Sequence, residues 1–76
     1  MCKIKVSVSY SCEQEKSRAA GKLKDLPNVT SLSHESGRVI AIVEHPLDIT
    51  DLQAAAWAKD KFGMDPALVP SATILA

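Results

Sequence analysis

The chain opens with a strict alternation of apolar and polar positions. Every second residue from 4 to 10 is apolar, and the residues between them are lysines and serines. Successive side chains of a β-strand point to opposite faces, so this pattern predicts a strand with one buried and one solvated face. We expect the first strand over residues 3–10, with Cys2 in phase with its buried row.

A helix is predicted to follow this strand. Ser11 is a candidate N-cap, because its hydroxyl can accept from the Gln14 backbone N–H while the Gln14 side chain reaches back to Ser11. Apolar residues recur at helical spacing as far as about Leu26, and Pro27 ends the helix. Gly21 lowers helix propensity and is expected to mark close packing. The predicted inner face consists of Cys12, Ala19, Leu23 and Leu26.

Two further strands are predicted around a tight turn. Residues 29–34 form the second strand, and Glu35-Ser36-Gly37 has the composition of a hairpin turn. The third strand, over residues 38–44, is apolar at nearly every position, which is typical of a strand enclosed on both faces. We therefore expect the third strand at the centre of the sheet.

The second helix is predicted from capping signals and from the residues at its end. Asp48 or Thr50 can cap it, and Thr50 with Gln53 forms a capping-box pattern. The helix is predicted to run to about Phe62, with Gly63 just beyond its last turn. Its predicted inner face consists of Leu52, Ala55, Ala56 and Phe62, with Trp57 off that face and partly exposed.

The complete order of elements is βαββαβ, in one α+β domain that spans residues 1–76. The last strand, over residues 67–75, contains Pro70, which cannot donate to a ladder and therefore belongs at a sheet edge. Two right-handed βαβ units joined by a hairpin give the ferredoxin-like split fold. Its four-stranded antiparallel sheet has the order 4-1-3-2, with both helices on one face. The edge proline and the apolar third strand both fit this order.

This topology sorts the residues that can carry chemistry onto two opposite edges. One edge carries Cys12, Glu15, His34 and Met64, and the opposite edge carries Cys2, His45 and both termini. At ~3.3 Å per strand residue, the two cysteines are separated by far more than the ~7 Å that a disulfide spans. A shared ligand site must therefore lie within one edge.

Composition narrows the function classes. Nine Lys and Arg balance nine Asp and Glu, so the chain has no net charge and lacks the basic footprint of nucleic-acid or anionic-membrane binding. No apolar run reaches the ~20 residues of a membrane-spanning helix, and no signal-peptide pattern precedes the first strand. A cytoplasmic location is therefore expected. No nucleophile, base and orienting group share one edge, so we expect no enzyme.

The first half of the chain resembles the heavy-metal-associated domains of copper chaperones, mercury-binding proteins and metal-pumping ATPases. Those domains have the βαββαβ order and place M-x-C-x-x-C between the first strand and the first helix. Here Cys12 holds the position of the first cysteine, and the tract LKDLPNV at 23–29 is similar to the family's helix exit. The resemblance covers residues 3–44 and implies that Cys12 binds a soft metal ion such as Cu(I).

The family's motif is incomplete at the site itself. Glu15 stands at the position of the second cysteine, and Tyr10 at that of the methionine. A thiolate and a carboxylate do not clamp a soft ion as two thiolates do, since carboxylates prefer harder ions. Binding is therefore expected to be weak, or shared with a helper ligand. The candidate helpers are Glu15, His34, Met64, a partner protein and a second copy of the chain.

Three interpretations of Cys12 remain open from the sequence. It is a metal ligand, a small buried apolar residue on the inner face of the first helix, or a thiol with a redox role. The first interpretation predicts a small metal-handling domain that exchanges Cu(I) or another soft ion with a protein partner.

The alternative function is a non-catalytic interaction module on the same fold, which has lost the metal. Such a module would pair an exposed edge strand, the second strand above all, with a partner peptide. A homodimer is compatible with both functions. Neither function involves nucleic acid or insertion into a membrane.

Overall fold

The computed structural model describes residues 1–63 and 67–75, which contain the six predicted elements in the predicted order. Their bounds are β1 Cys2–Ser9, α1 Glu13–Lys24, β2 Val29–Glu35, β3 Arg38–His45, α2 Asp51–Phe62 and β4 Pro70–Ile74. Helix α1 ends two residues before the predicted Leu26, because the Leu26 N–H donates to the Leu23 carbonyl in a tighter, 3₁₀-type bond. Strand β4 begins at Pro70, three residues later than predicted.

The four strands form one antiparallel sheet in the order β2-β3-β1-β4. β1 and β3 each pair on both sides, so they are interior, and β2 and β4 are the edges. The α+β class, the four-stranded antiparallel sheet, the central third strand and the edge position of the strand with Pro70 are confirmed. The β2–β3 hairpin turns at Ser36-Gly37, where Gly37 has a φ of 76° that glycine adopts without strain.

The main apolar core lies on one face of the sheet. Alternate residues of β1 and β3 are buried on that face, and both helices contribute to the same cluster, so α1 and α2 cover the same side. The predicted place of Cys2 in the inner row is confirmed. The principal members of the cluster are Cys2, Ile4, Val6, Val8, Ala19, Leu23, Val39, Ala41, Val43, Ala54, Ala58 and Phe62.

The inner face of α2 differs from the prediction. Ala54, Ala58 and Phe62 are buried, whereas Leu52 is 81% exposed and Ala56 is also exposed. Residues at a spacing of four share one helix face, so the row that begins at Ala54 leaves Leu52 about 200° away on the solvent side. Of the other predicted members, Phe62 is confirmed and Ala55 is half-buried, and the buried row contains the small Ala54 and Ala58 instead of the larger Leu52.

The predicted N-cap is confirmed for α2 and wrong for α1. Thr50 caps α2 in a complete capping box, since its hydroxyl accepts from the Gln53 N–H and the Gln53 side chain accepts from the Thr50 N–H. Of the two candidate caps, Asp48 instead pairs with the N-terminal ammonium at 3.2 Å. The predicted Ser11 cap of α1 is wrong, because Cys12 is the N-cap residue and its side chain makes no cap bond.

Gly21 lies in the interior of α1 without a packing reason in the monomer. A Cβ placed on it would meet no atom within 4 Å, so the prediction that it marks close packing is wrong. Glycine in a helix interior lowers stability because of the backbone entropy that it loses on folding.

We therefore expect Gly21→Ala to raise the free energy of unfolding by about 1 kcal/mol, the difference in helix propensity between the two residues. Urea denaturation followed by circular dichroism measures the change. Gly37→Ala is the matched control and should destabilise the chain, because alanine is strained at the positive φ of this turn. Destabilisation by Gly21→Ala would show that α1 packs more closely there than the structure indicates.

Candidate functional site

The loop after β1 lies beside the β2–β3 hairpin. The Tyr10 N–H donates to the Gly37 carbonyl at 3.0 Å, which continues the β1–β3 ladder to the turn. Cys12, at the start of α1, is therefore at the hairpin end of the sheet, and its thiol is exposed. The interpretation of Cys12 as a buried apolar residue is wrong, because an N-cap residue precedes the helical face that Ala19 and Leu23 bury.

Glu15 organises this loop in place of the predicted Ser11–Gln14 capping box. The backbone N–H and the hydroxyl of Ser11 both donate to Glu15 Oε1, at 3.1 and 2.9 Å. These hydrogen bonds, the Ser11 N–H first, lower the pKa of Glu15 below its ordinary value, with smaller contributions from Arg18 and from the Cys12 thiol. The carboxylate therefore holds the loop closed onto the first turn of α1.

The structure brings together only part of the predicted metal site. Cys12 and Glu15 interact, but the Glu15 carboxylate is already bonded to Ser11. His34 is exposed on β2, opposite Val39. Met64 lies outside the described residues. Within residues 1–63 and 67–75, no group of three or more His, Cys, Asp or Glu side chains is placed to hold a metal ion.

A second, separate set of polar groups lies at the end of the sheet opposite the hairpin. Cys2 is buried, and its Sγ donates to the Leu47 carbonyl at 3.2 Å; neither cysteine forms a disulfide, as predicted. The His45 Nδ1 lies 3.1 Å from the Leu47 backbone nitrogen and 2.9 Å from the Leu47 carbonyl oxygen, and the His45 ring meets Trp57 edge-on. A depression of about 180 Å³ opens beside these residues, lined by Met1, Asn28, Glu44, His45 and Pro46.

The two edge strands of the sheet, β2 and β4, differ in how far their outward backbone groups are protected. On β4 the alternate residues from Pro70 to Ile74 turn their backbone groups away from β1. Pro70 has no N–H, and the Ile74 N–H donates to Asp51 Oδ1 at 2.9 Å. The β4 edge is therefore closed to a further strand at these two positions, with the backbone groups of Ala72 between them still directed outward.

Among the described residues, no side-chain hydrogen bond closes the outward groups of β2, although the register of the strand shifts between Val29 and Ser31, which leaves the part from Leu32 onward as the regular open edge. The two-residue turn makes Glu35 and Arg38 a hydrogen-bonded pair, so Ser33 bonds inward to β3, and Leu32 and His34 present their N–H and C=O groups outward. Residues 30–35 are all exposed, and β2 contains neither proline nor lysine, the residues that commonly protect an edge. That absence was the available sequence signal for an open edge.

Comparison of the chain with protein-family models, with curated proteins and with solved structures gave no match. Of the helices in the described part of the chain, none is long and apolar enough to cross a membrane. The resemblance to heavy-metal-associated domains therefore stays a prediction.

The Glu15 loop predicts a pH-dependent contribution to stability. A carboxyl group whose pKa is lower in the folded chain stabilises it above the ordinary value of 4.5, and this contribution is lost as pH falls through the folded value. Glu15→Gln should therefore be less stable than wild type at pH 7, and the difference should narrow below pH 4.5.

Urea denaturation of both proteins at several pH values measures this difference. Glu13→Gln is the matched control, since it removes a charge from the same helical turn without removing the bonds to Ser11. A Glu15→Gln deficit that is unchanged between neutral and acidic pH would contradict the assigned role of the carboxylate.

Proposed function

We propose that the chain is a non-catalytic interaction module whose β2 edge accepts an extended segment of a partner polypeptide. The observation that carries this proposal is the difference between the edge strands: β4 is closed at two positions by Pro70 and the Asp51–Ile74 bond, whereas Leu32 and His34 of β2 have no such closure. An open edge binds an added strand through main-chain hydrogen bonds, and alternate side chains supply specificity.

The chemistry of β2 suits strand addition. Leu32 and His34 each offer one donor and one acceptor, so an added strand can form four backbone hydrogen bonds. Each such bond contributes about 1 kcal/mol net, and the exposed Leu32 side chain adds an apolar contact on the helix side of the sheet. This set of contacts supports a reversible complex.

The scaffold proposed for this module is the ferredoxin-like split fold. Its support is the βαββαβ order, the pairing of β1 with both β3 and β4, and the placement of both helices over one face. A cytoplasmic location and the absence of catalysis are parts of the same proposal, and both are based on the sequence pattern, which predicts no nucleophile, base and orienting group at one end of the sheet.

Selection of a displayed random-peptide library on the immobilised chain tests strand addition directly. Selected peptides should slow amide exchange at Leu32 and His34. They should bind Leu32→Pro about tenfold more weakly than Leu32→Val, because proline removes one outward donor and valine keeps it. An edge position tolerates this proline, since the lost N–H makes no bond to β3. Equal binding to both variants would contradict the proposal.

A second candidate function is handling of a soft metal ion, and the exposed Cys12 thiol at the start of α1 favours it. The thiol is accessible to a metal donor and lies at the same end of the sheet as the hairpin. The candidate co-ligand beside it, Glu15, is held by Ser11, so tight binding would need a further ligand. Cu(I) is the ion that a single thiolate of this kind fits best.

Anaerobic Cu(I) titration against a competing chelator measures this activity. Wild type should retain more Cu(I) than Cys12→Ala, and the buried Cys2 makes Cys2→Ala the matched control that should behave as wild type. Glu15→Cys should increase affinity sharply, because it supplies a second thiolate on the adjacent turn. Equal and weak competition by wild type and Cys12→Ala would end the metal hypothesis.

A further inference from the structure

We infer that the segment that pairs with the β2 edge is β2 of a second copy of this chain, giving an eight-stranded sheet about a two-fold axis. This inference rests on the proposed function of the β2 edge and names its partner. It is carried by the register of β2, by the exposed position of Leu32 and by the charges along one flank of α1.

The register of β2 is compatible with pairing to itself. A two-fold axis at Leu32 places outward-facing Leu32 opposite its own copy and Ser31 opposite Ser33 of the second copy, within the regular part of β2 that follows the register shift between Val29 and Ser31. Neither pair places like charges opposite each other across the strands. Backbone donors and acceptors at Leu32 meet their equivalents in antiparallel geometry.

The Leu32 side chain gains a cover in this arrangement. Leu32 lies opposite Ala41 in the row that faces the helices, yet it is 37% exposed because no described strand lies beyond β2. In the paired form each Leu32 packs on the other across the axis. Leu32 thus has both outward-facing backbone N–H and C=O groups and an exposed apolar side chain.

Helix α1 has one flank directed to α2 and the other directed to the β2 edge. The Lys22 Nζ lies 5.0 Å from the centre of the Phe62 ring of α2, which identifies the inner flank. The opposite flank is a row at helical spacing that consists of Glu13, Ser17, Ala20 and Lys24. This outer flank faces the same side of the domain as the free edge of β2.

The outer flank is complementary to itself. A two-fold axis makes the two α1 helices antiparallel, so Glu13 at one start lies beside Lys24 at the other end, and small Ser17 and Ala20 occupy the middle. With strands spaced ~4.8 Å apart and α1 over β3 and β2, the helix axes are on the order of 10 to 14 Å apart, within reach of these side chains. The zero net charge adds no overall repulsion between copies.

Sedimentation over a range of concentrations tests the dimer. Wild type should change from 8.2 kDa to about twice that mass as concentration rises. Leu32→Lys should stay monomeric, because it opposes two like charges at the axis, whereas Leu52→Lys, the same change at a more exposed leucine, should dimerise as wild type does. Circular dichroism of both variants is the control that checks whether each is folded.

Charge exchange on α1 tests the helix contact independently of the strand. Glu13→Lys and Lys24→Glu should each weaken dimerisation several-fold, and the double variant should restore it. In a Cys12→Ser background, Leu32→Cys should form a disulfide dimer under mild oxidation, since facing Cα atoms lie about 5.5 Å apart. Leu52→Cys is the control for random cross-linking.

The outcomes separate this inference from the function on which it rests. A wild type that stays at 8.2 kDa at every concentration, yet binds selected peptides at β2, would overturn the dimer and leave strand addition standing. A dimer that Leu32→Lys and Leu52→Lys form equally well would overturn the β2 contact. A wild type that neither binds selected peptides nor dimerises would overturn the proposed function itself.

Discussion

The pairing of β1 on both sides is the interaction on which the rest of the domain depends. β1 bonds to β3 along eight residues and to β4 along five, and its alternate residues Ile4, Val6 and Val8 are fully buried. A shift of one residue would turn that row to solvent, so the alternation fixes the register of three strands at once. The helices then cover a surface whose shape β1 and β3 have already determined.

Structural features that depend on a local and redundant sequence pattern were predicted best. The six elements, the edge strand with Pro70 and the Thr50 cap each follow from a spacing or a residue type with few alternatives. The inner face of α2 could not be predicted so well, because its alanines pack closely and the larger Leu52 is left in solvent. Which face of a weakly amphipathic helix is buried depends on the sheet beneath it.

In the loop that begins α1, the sequence pattern allows two different structures. Ser11, Gln14 and Glu15 offer two mutually exclusive capping arrangements, and one residue of difference in the helix start decides between them. With Cys12 as N-cap, Glu15 occupies the third helical position and accepts from Ser11. Glu15 thus has a structural role in the loop, which sequence spacing alone could not reveal.

The closure of β4 at two positions has a consequence for the size of any assembly. Two chains joined through β2 would leave β4 at both ends of the shared sheet, where Pro70 and the Asp51–Ile74 bond limit further pairing. An isologous contact of this kind uses the same surface twice and ends growth at two copies. A chain with two open edges would instead extend without limit into fibres. In such an assembly, the Asp51 side chain at the start of α2 would limit growth of the sheet at the edge opposite the proposed contact.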